Sequence, residues 1–169
     1  RLDQWTSGAL LVAKNPVVVP ILSRQISQKL IQRTYLCVVE GHLKSRSGTI
    51  TLPIGLDPHD QRKRQINGPG AQPATTHYQV VREFVERSLL RVQLATGRTH
   101  QIRVHLAALG HPIVGDPLYN SLADGAPMRL HSWQVKFPLP FSQSWQTVTA
   151  PVPNYFGISL AEPAFDVGD

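Results

Sequence analysis

The sequence predicts an α+β fold built on a mixed, mostly antiparallel sheet flanked by a few helices. Two observations carry this expectation. Short runs alternate apolar and polar residues between turn formers, and SLLRVQLAT is the cleanest of them: Leu90, Val92 and Leu94 alternate with Arg91 and Gln93, as on a strand with one wet face. Few stretches have helical character, and they do not alternate regularly with the strands as a doubly wound parallel sheet would require. At 169 residues with 41% hydrophobic content, the chain is sized for a single core.

Taken in order, GALLVAK reads as a strand entering the core, which places the Asp3 carboxylate at its entrance. Asn15 and Pro16 then supply an N-cap and a first-turn proline for a helix running to about Arg33. Val18, Leu22, Ile26 and Leu30 form its apolar stripe, and Pro20 makes it start late or kink. Strands are expected at TYLCVVEG, GTITLP and TTHYQVVREFV, ahead of SLLRVQLAT. Between Pro53 and Pro73 the turn formers in GLDPHD, QRKR and NGPGAQP predict a long surface loop. GRTHQIRVHLAALG reads as a loop running into a helix that Thr99 caps and Gly110 closes, and RLHSWQVKF as a further strand.

Seventeen Lys and Arg against eleven Asp and Glu give a formal charge of +6, a balance that favours a polyanionic partner. On charge alone, Arg62, Lys63 and Arg64 are divided between a phosphate contact and a solvated loop. The lone Cys37 excludes an intramolecular disulfide, and the longest apolar runs, GALLVA and VVVPIL, are too short to cross a bilayer. A cytoplasmic protein with no membrane partner is expected. The chain begins on Arg1 rather than Met, and we read its N-terminus as not the natural one.

The sequence contains no HExxH, no paired CxxC, no GxGxxG after a strand and no GxxxxGK[ST], so the usual metal and nucleotide signatures are absent. His100 and His105, five residues apart, fall on different helix faces and are better read as local hydrogen-bond partners than as metal ligands. Ser7-Gly8 lacks the elbow that presents a hydrolase serine. In TGRTHQIRVHLAALGHPIVGDPLY, polar heads from His100, Gln101 and Arg103 gather at a helix N-terminus, a natural anion site. Arg103, between Ile102 and Val104, reads as partly buried and demands a carboxylate. Asp3 is one candidate; pairing with Asp116, or a snorkelling side chain, is the other.

Three stretches, RLDQWTSG, RTYLCVVEG and GRTHQIRVHLAALGHPIVGDPLY, together resemble the RluA-type pseudouridine synthases. That family's first motif reads His-Arg-Leu-Asp-x-x-Thr-Ser-Gly, its second places a Tyr at the head of a strand, and its third is the GRTHQIRVH segment, in this order. LPIG, ATTHYQVV, LHSWQVKFPLP and TAPVP extend the likeness to about Pro153. The resemblance implies a pseudouridine synthase catalytic domain over residues 1–153 that lacks its N-terminal part, with 154–169 as a C-terminal tail. It implies isomerisation of uridine to pseudouridine in ribosomal or transfer RNA by a monomer, without cofactor or metal. Carried over, the catalytic aspartate falls on Asp3, the base-stacking tyrosine on Tyr35, the aspartate-pairing arginine on Arg103 and the base-flipping arginine on Arg1. Within this setting Arg62, Lys63, Arg64, Arg98, His100 and Gln101 are expected to contact RNA. The rival expectation is an RNA-binding fragment without activity.

Overall fold

The computed structural model describes residues 1–158. The strands are β1 (Ser7–Gly8), β2 (Gln32–Glu40), β3 (Ser47–Ile50), β4 (Ile54–Leu56), β5 (Arg64–Ile66), β6 (Thr76–Glu83), β7 (Arg87–Leu94), β8 (Leu130–Pro138) and β9 (Trp145–Thr149), with helices α1 (Val19–Ser27) and α2 (Gln101–Ala108). Seven strands form one sheet in the order β1-β8-β2-β7-β6-β3, with β9 also on β8, and every pairing is antiparallel except the parallel contact of β1 with β8. The α+β class and the mixed, mostly antiparallel sheet are as the sequence predicts.

β2 is the spine of the core, because Thr34 to Val39 are buried on both faces of the sheet. Tyr35, Cys37 and Val39 join Leu90, Val92, Ile102 and Leu106 under α2. Leu36 and Val38 face the other way, onto Leu89, Trp133 and Phe156. Such complete burial pushes the Cys37 thiol up and leaves it an inert part of the packing. Helix α2 ends as its sequence predicts: Gly110 takes φ 84, its N–H reaches Ala107 O, and the His111 N–H reaches Leu106 O.

Five expectations need correction. GALLVAK does not run through the core; the strand stops at Gly8, and Leu10 and Val12 are 55% and 65% exposed. β1 pairs with His131 and Ser132, whereas Gln134 to Pro138 on the same side of β8 already pair with β9, so no edge remains for the segment to follow. The first helix is shorter than expected: Asn15 caps a 3-10 turn over Pro16–Val18, and α1 then ends at Ser27 with Pro20 in its first turn, where a missing N–H costs nothing. Its buried residues are Leu22 and Gln25, while Ile26 is 58% exposed. The segment from Pro53 to Pro73 contains a hairpin, β4 with β5, packed through Ile54 and Ile66 against Val104 of α2. At the start of α2 the cap position belongs to His100, not Thr99, and no side chain caps there. Finally, packing continues past Pro153, since Phe156 is 1% exposed against His131; of the expected tail, 159–169 lie outside the described residues.

Two buried histidines give the fold a pH dependence. His105, 0% exposed, bonds Thr76 Oγ1 through Nδ1 and Leu52 O through Nε2, and His131, 1% exposed, bonds Ser7 Oγ through Nδ1. Burial holds both below their ordinary 6.5. Below about pH 6.5 the unfolded imidazoles bind protons that the folded ones refuse, so stability is complete above that pH and falls beneath it. We expect the unfolding free energy from urea titration to drop as pH is lowered from about 7.5 to about 5.5, with a slope approaching about 1.4 kcal/mol per pH unit for each ring that stays neutral. A flat profile across that window would show that the folded rings accept protons.

Candidate active site

The segment that carries Asp3 is fastened to the sheet through backbone and side chain. The Thr6 N–H bonds Asp3 O at 3.0 Å to close a turn, the Ala9 N–H reaches Ser132 O at 2.8 Å, and Ser132 Oγ donates back to Ala9 O at 3.0 Å. Ser7 Oγ lies 2.8 Å from His131 Nδ1. A Cβ on Gly8 would stand 2.2 Å from Ser132 O, so the close approach of β1 to β8 needs glycine there. These contacts hold Asp3 beside α2.

Arg103 projects from the first turn of α2 with its side chain 0% exposed. Its Nε and one terminal nitrogen donate to the two carboxylate oxygens of Asp116 at 2.8 and 2.7 Å, a bidentate pair whose members are both wholly buried. Asp116 also accepts the N–H groups of Leu118 and Tyr119 at 2.9 and 3.2 Å. Burial disfavours the Arg103 charge, but the Asp116 bonds and the charges of Asp116 and Asp3 outweigh it and raise its pKa. The remaining terminal nitrogen, Nη1, is buried without a hydrogen bond and stands 3.5 Å from Asp3 Oδ2. Both sequence readings of Arg103 hold at once: Asp116 anchors the guanidinium, and Asp3 faces the nitrogen left over. The rings of Tyr119 and Trp5 lie 5.1 and 5.8 Å from its central carbon.

Asp3, Tyr35 and His100 line one cavity of about 150 Å³ together with Arg1, Arg33 and Arg98. Tyr35 enters from β2, and burial above all raises its pKa, aided by Asp3 and opposed by Arg33, so the hydroxyl keeps its proton at neutral pH. A wider groove of about 820 Å³ adjoins the cavity and is lined by Arg1, Lys29, Arg33 and Arg98, with no carboxylate among its lining residues.

The predicted site therefore divides. The structure brings Asp3, Tyr35, Arg103, Arg1, Arg98 and His100 together. Gln101 lines the cavity too, but its polar atoms are committed elsewhere: its amide donates to Thr75 O and Thr76 Oγ1 and accepts from Thr96 Oγ1 and the Arg98 N–H, which exhausts its hydrogen bonds and leaves it 2% exposed. Arg62 is held by Asp60 through bonds of 3.0 and 2.7 Å, which lower the Asp60 pKa to about 2. Arg64 turns its guanidinium to Gln61 O and Lys63 O, and none of Arg62, Lys63 and Arg64 lines the cavity or the groove. Sequence reasoning missed Tyr119, Lys29 and Arg33 as site residues and weighed Asp116 only as a rival to Asp3. Asp60, two residues before Arg62, was a signal against the basic cluster. Among the described residues no group of three or more His, Cys, Asp or Glu could hold a metal ion.

A family model described as RNA pseudouridylate synthase matches residues 1–108. An uncharacterized RNA pseudouridine synthase of Bacillus subtilis, YhcT, is 42% identical over 159 residues, which cover 90% of this chain and 51% of that protein. The ribosomal large subunit pseudouridine synthase D of Nitrosomonas europaea is 39% identical over 164 residues, 91% of this chain and 47% of its own length. The chain thus spans about half the length of the curated relatives it matches. The solved human RNA Pseudouridylate Synthase Domain Containing 1 superposes with a TM-score of 0.79 at 30% identity, covering 90% of this chain and 67% of that one.

The buried pair makes a stability prediction. Asp116→Ala leaves the Arg103 guanidinium without its anchor and should lower the unfolding free energy by about 3–5 kcal/mol in urea titration. Arg62→Ala, which breaks a solvent-exposed pair of the same length, should leave the midpoint in place.

Proposed function

The chain belongs to the RNA pseudouridylate synthase family, and from that premise we propose that it isomerises uridine to pseudouridine in RNA, with Asp3 as the catalytic carboxylate. The observation that carries this reading is the Asp3 carboxylate at the wall of a cavity shared with Tyr35, 3.5 Å from the unused nitrogen of a guanidinium that Asp116 holds rigid. A carboxylate so fixed acts as nucleophile or stabilises a sugar cation while the bond from uracil N1 to ribose C1′ breaks. The released uracil turns, C5 bonds to C1′, C5 gives up its proton and N1 takes one. The reaction is a redox-neutral rearrangement, so its chemistry calls for no cofactor or metal.

Tyr35 supplies a ring on which the base stacks, and its protonated hydroxyl is placed to relay the C5 proton. A uridine in folded RNA has to leave its stack to reach the cavity, and Arg1 at the rim is the side chain to fill the gap. The groove cations hold the flanking phosphates. Large-subunit ribosomal RNA is the preferred substrate, because it is the target named for the Nitrosomonas relative; the protein would act as a monomer in the cytoplasm.

In the full-length protein, Asp3→Asn should cut tritium release from 5-tritiated uridine in RNA by more than about a thousandfold while RNA affinity stays within a few-fold. Release at the parental rate would remove Asp3 from the chemistry. RNA binding by a parent that releases none would favour the non-catalytic reading. Replacing Lys29, Arg33 and Arg98 by Ala should flatten the salt dependence of RNA binding by roughly one log unit for each phosphate that the variant no longer neutralises, and Arg62→Ala should not.

A further inference from the structure

His100 holds an unusual backbone conformation, φ 58 and ψ 18, at the N-cap position of α2. A non-glycine residue takes this region at some cost, though His enters it more readily than most, and contacts hold it there. The contacts lie on one edge of the ring. Nδ1 is 2.8 Å from the Tyr119 hydroxyl, and the two rings meet edge to face with centroids 5.6 Å apart. The same hydroxyl oxygen accepts the backbone N–H of Arg64 at 2.8 Å. The oxygen could accept a second time, but the single phenol hydrogen has Nδ1 as its one acceptor among the described residues, so that hydrogen goes to Nδ1. Nδ1 is then an acceptor, and the proton of the neutral imidazole sits on Nε2.

The surroundings keep the ring neutral. Burial first and the Arg103 charge second, with a smaller contribution from Arg64, lower its pKa from 6.5 against the opposing pull of Asp3 and Asp116. Tyr119 itself is pushed up to about 12, so its hydrogen stays available to Nδ1. His100 lines the cavity together with Asp3 and Tyr35, and Nε2 has no protein partner among the described residues.

Resting on the isomerase reading, we infer that His100 presents its Nε2–H to a carbonyl oxygen of the target uracil, and that Tyr119, fixed by the Arg64 backbone, keeps the proton on that nitrogen. Directed at the carbonyl on C4, the arrangement discriminates between bases. Uracil has a carbonyl at C4, whereas cytosine carries an amino group there, so a donor locked in one tautomer meets an acceptor in the first and another donor in the second. A neutral donor also does not compete with Arg103 for the Asp3 carboxylate, as an imidazolium would. Tyr119 is a positioning residue and His100 the one that touches substrate.

Two substitutions in the full-length protein separate this role from a structural one. The amide of Gln reaches to where Nε2 stands, whereas the shorter Asn reaches only the Nδ1 position but is the residue best suited to the left-handed backbone. A donor role predicts that His100→Gln keeps kcat/KM for tritium release within about fivefold of the parent, and that His100→Asn loses roughly thirtyfold although it is the more stable of the two. RNA affinity should be unchanged in both. If Asn is as active as Gln, His100 serves only the backbone and the inference falls; if both lose affinity in proportion to activity, the ring contacts phosphate rather than base and it falls again. Long-range nitrogen–proton spectra of the parent without RNA test the tautomer with no substitution: Nε2 should carry the hydrogen, and a protonated Nδ1 would overturn the relay. A parent that releases no tritium would remove the isomerase reading itself, an outcome distinct from an active parent with the wrong order of variants.

Discussion

The site depends on one interaction, the bidentate pair between Arg103 and Asp116 in the interior. Taking two such charges out of water costs several kcal/mol each, and the expense is recovered only when the geometry is close to ideal and the remaining lone pairs are bonded. Both conditions hold, with bonds of 2.8 and 2.7 Å and two backbone N–H groups completing the Asp116 carboxylate. The consequence for chemistry is directional. A guanidinium gripped along two of its three nitrogens cannot rotate, so the third is aimed at a fixed point, and Asp3 stands at that point. Because Arg103 is wholly buried, the positive charge near Asp3 is an orienting one that salt screens much less than a charge on the surface.

The second constraint is the outer edge of β8. Two segments distant in sequence share it: β1 takes His131 and Ser132, and β9 takes Gln134 to Pro138. The short hold on β1 is reinforced from the side chains of Ser7, His131 and Ser132 and, from near the end of the described chain, by Tyr155, whose hydroxyl reaches Ser7 Oγ at 3.3 Å. Asp3 is thus tethered by neighbours on two elements that fold from the far end of the sequence. Phe156 packs on His131 at the same spot. The carboxylate is positioned by non-local pairing, while the guanidinium it faces is positioned by a helix.

What can be read from the sequence follows that division between local and non-local causes. The alternation in Leu90, Val92 and Leu94 and the glycine after α2 are local signals, and both elements stand where those signals place them. GALLVA misleads because its apolar run is consistent with a buried strand, and only the competition for β8, invisible in the segment itself, ends it at Gly8. The cap of α2 misleads for a related reason: Thr99 has the right chemistry, but its neighbour Gln101 reaches back to the Arg98 N–H and closes the turn instead. Asp116 stands in plain view beside Arg103 in the same motif, yet spacing of 13 residues cannot distinguish one carboxylate partner from two. The family resemblance locates Asp3, Tyr35 and Arg103 on the chain, but the Tyr119–His100 contact follows from no motif spacing, since the hairpin loop after β4 has to deliver the Arg64 N–H before that hydroxyl is oriented.

The distribution of charge separates binding from chemistry. Arg62, Arg87 and Arg103 each face a carboxylate within ion-pair distance, so their charges are spent inside the protein. Among the described residues, Arg1, Lys29, Arg33 and Arg98 enter no ion pair, and these four line the groove that adjoins the cavity. Lys14, Arg24, Lys44 and Lys63 also enter no ion pair among the described residues, but they do not line the groove; the four that do meet in one place, and their effect on a polyanion is exposed to salt. The cavity shares Arg1, Arg33 and Arg98 with the groove, but its lining also holds one carboxylate, Asp3, while His100 is kept uncharged by burial and by Arg103, and Tyr35 keeps its proton. An anionic polymer is thus attracted along the groove and its shared cations, while the Asp3 carboxylate in the cavity wall repels a phosphate that would enter. Only the uncharged part of a nucleotide, its base and sugar, is electrostatically suited to go on into the cavity, and that is the part on which the proposed reaction takes place.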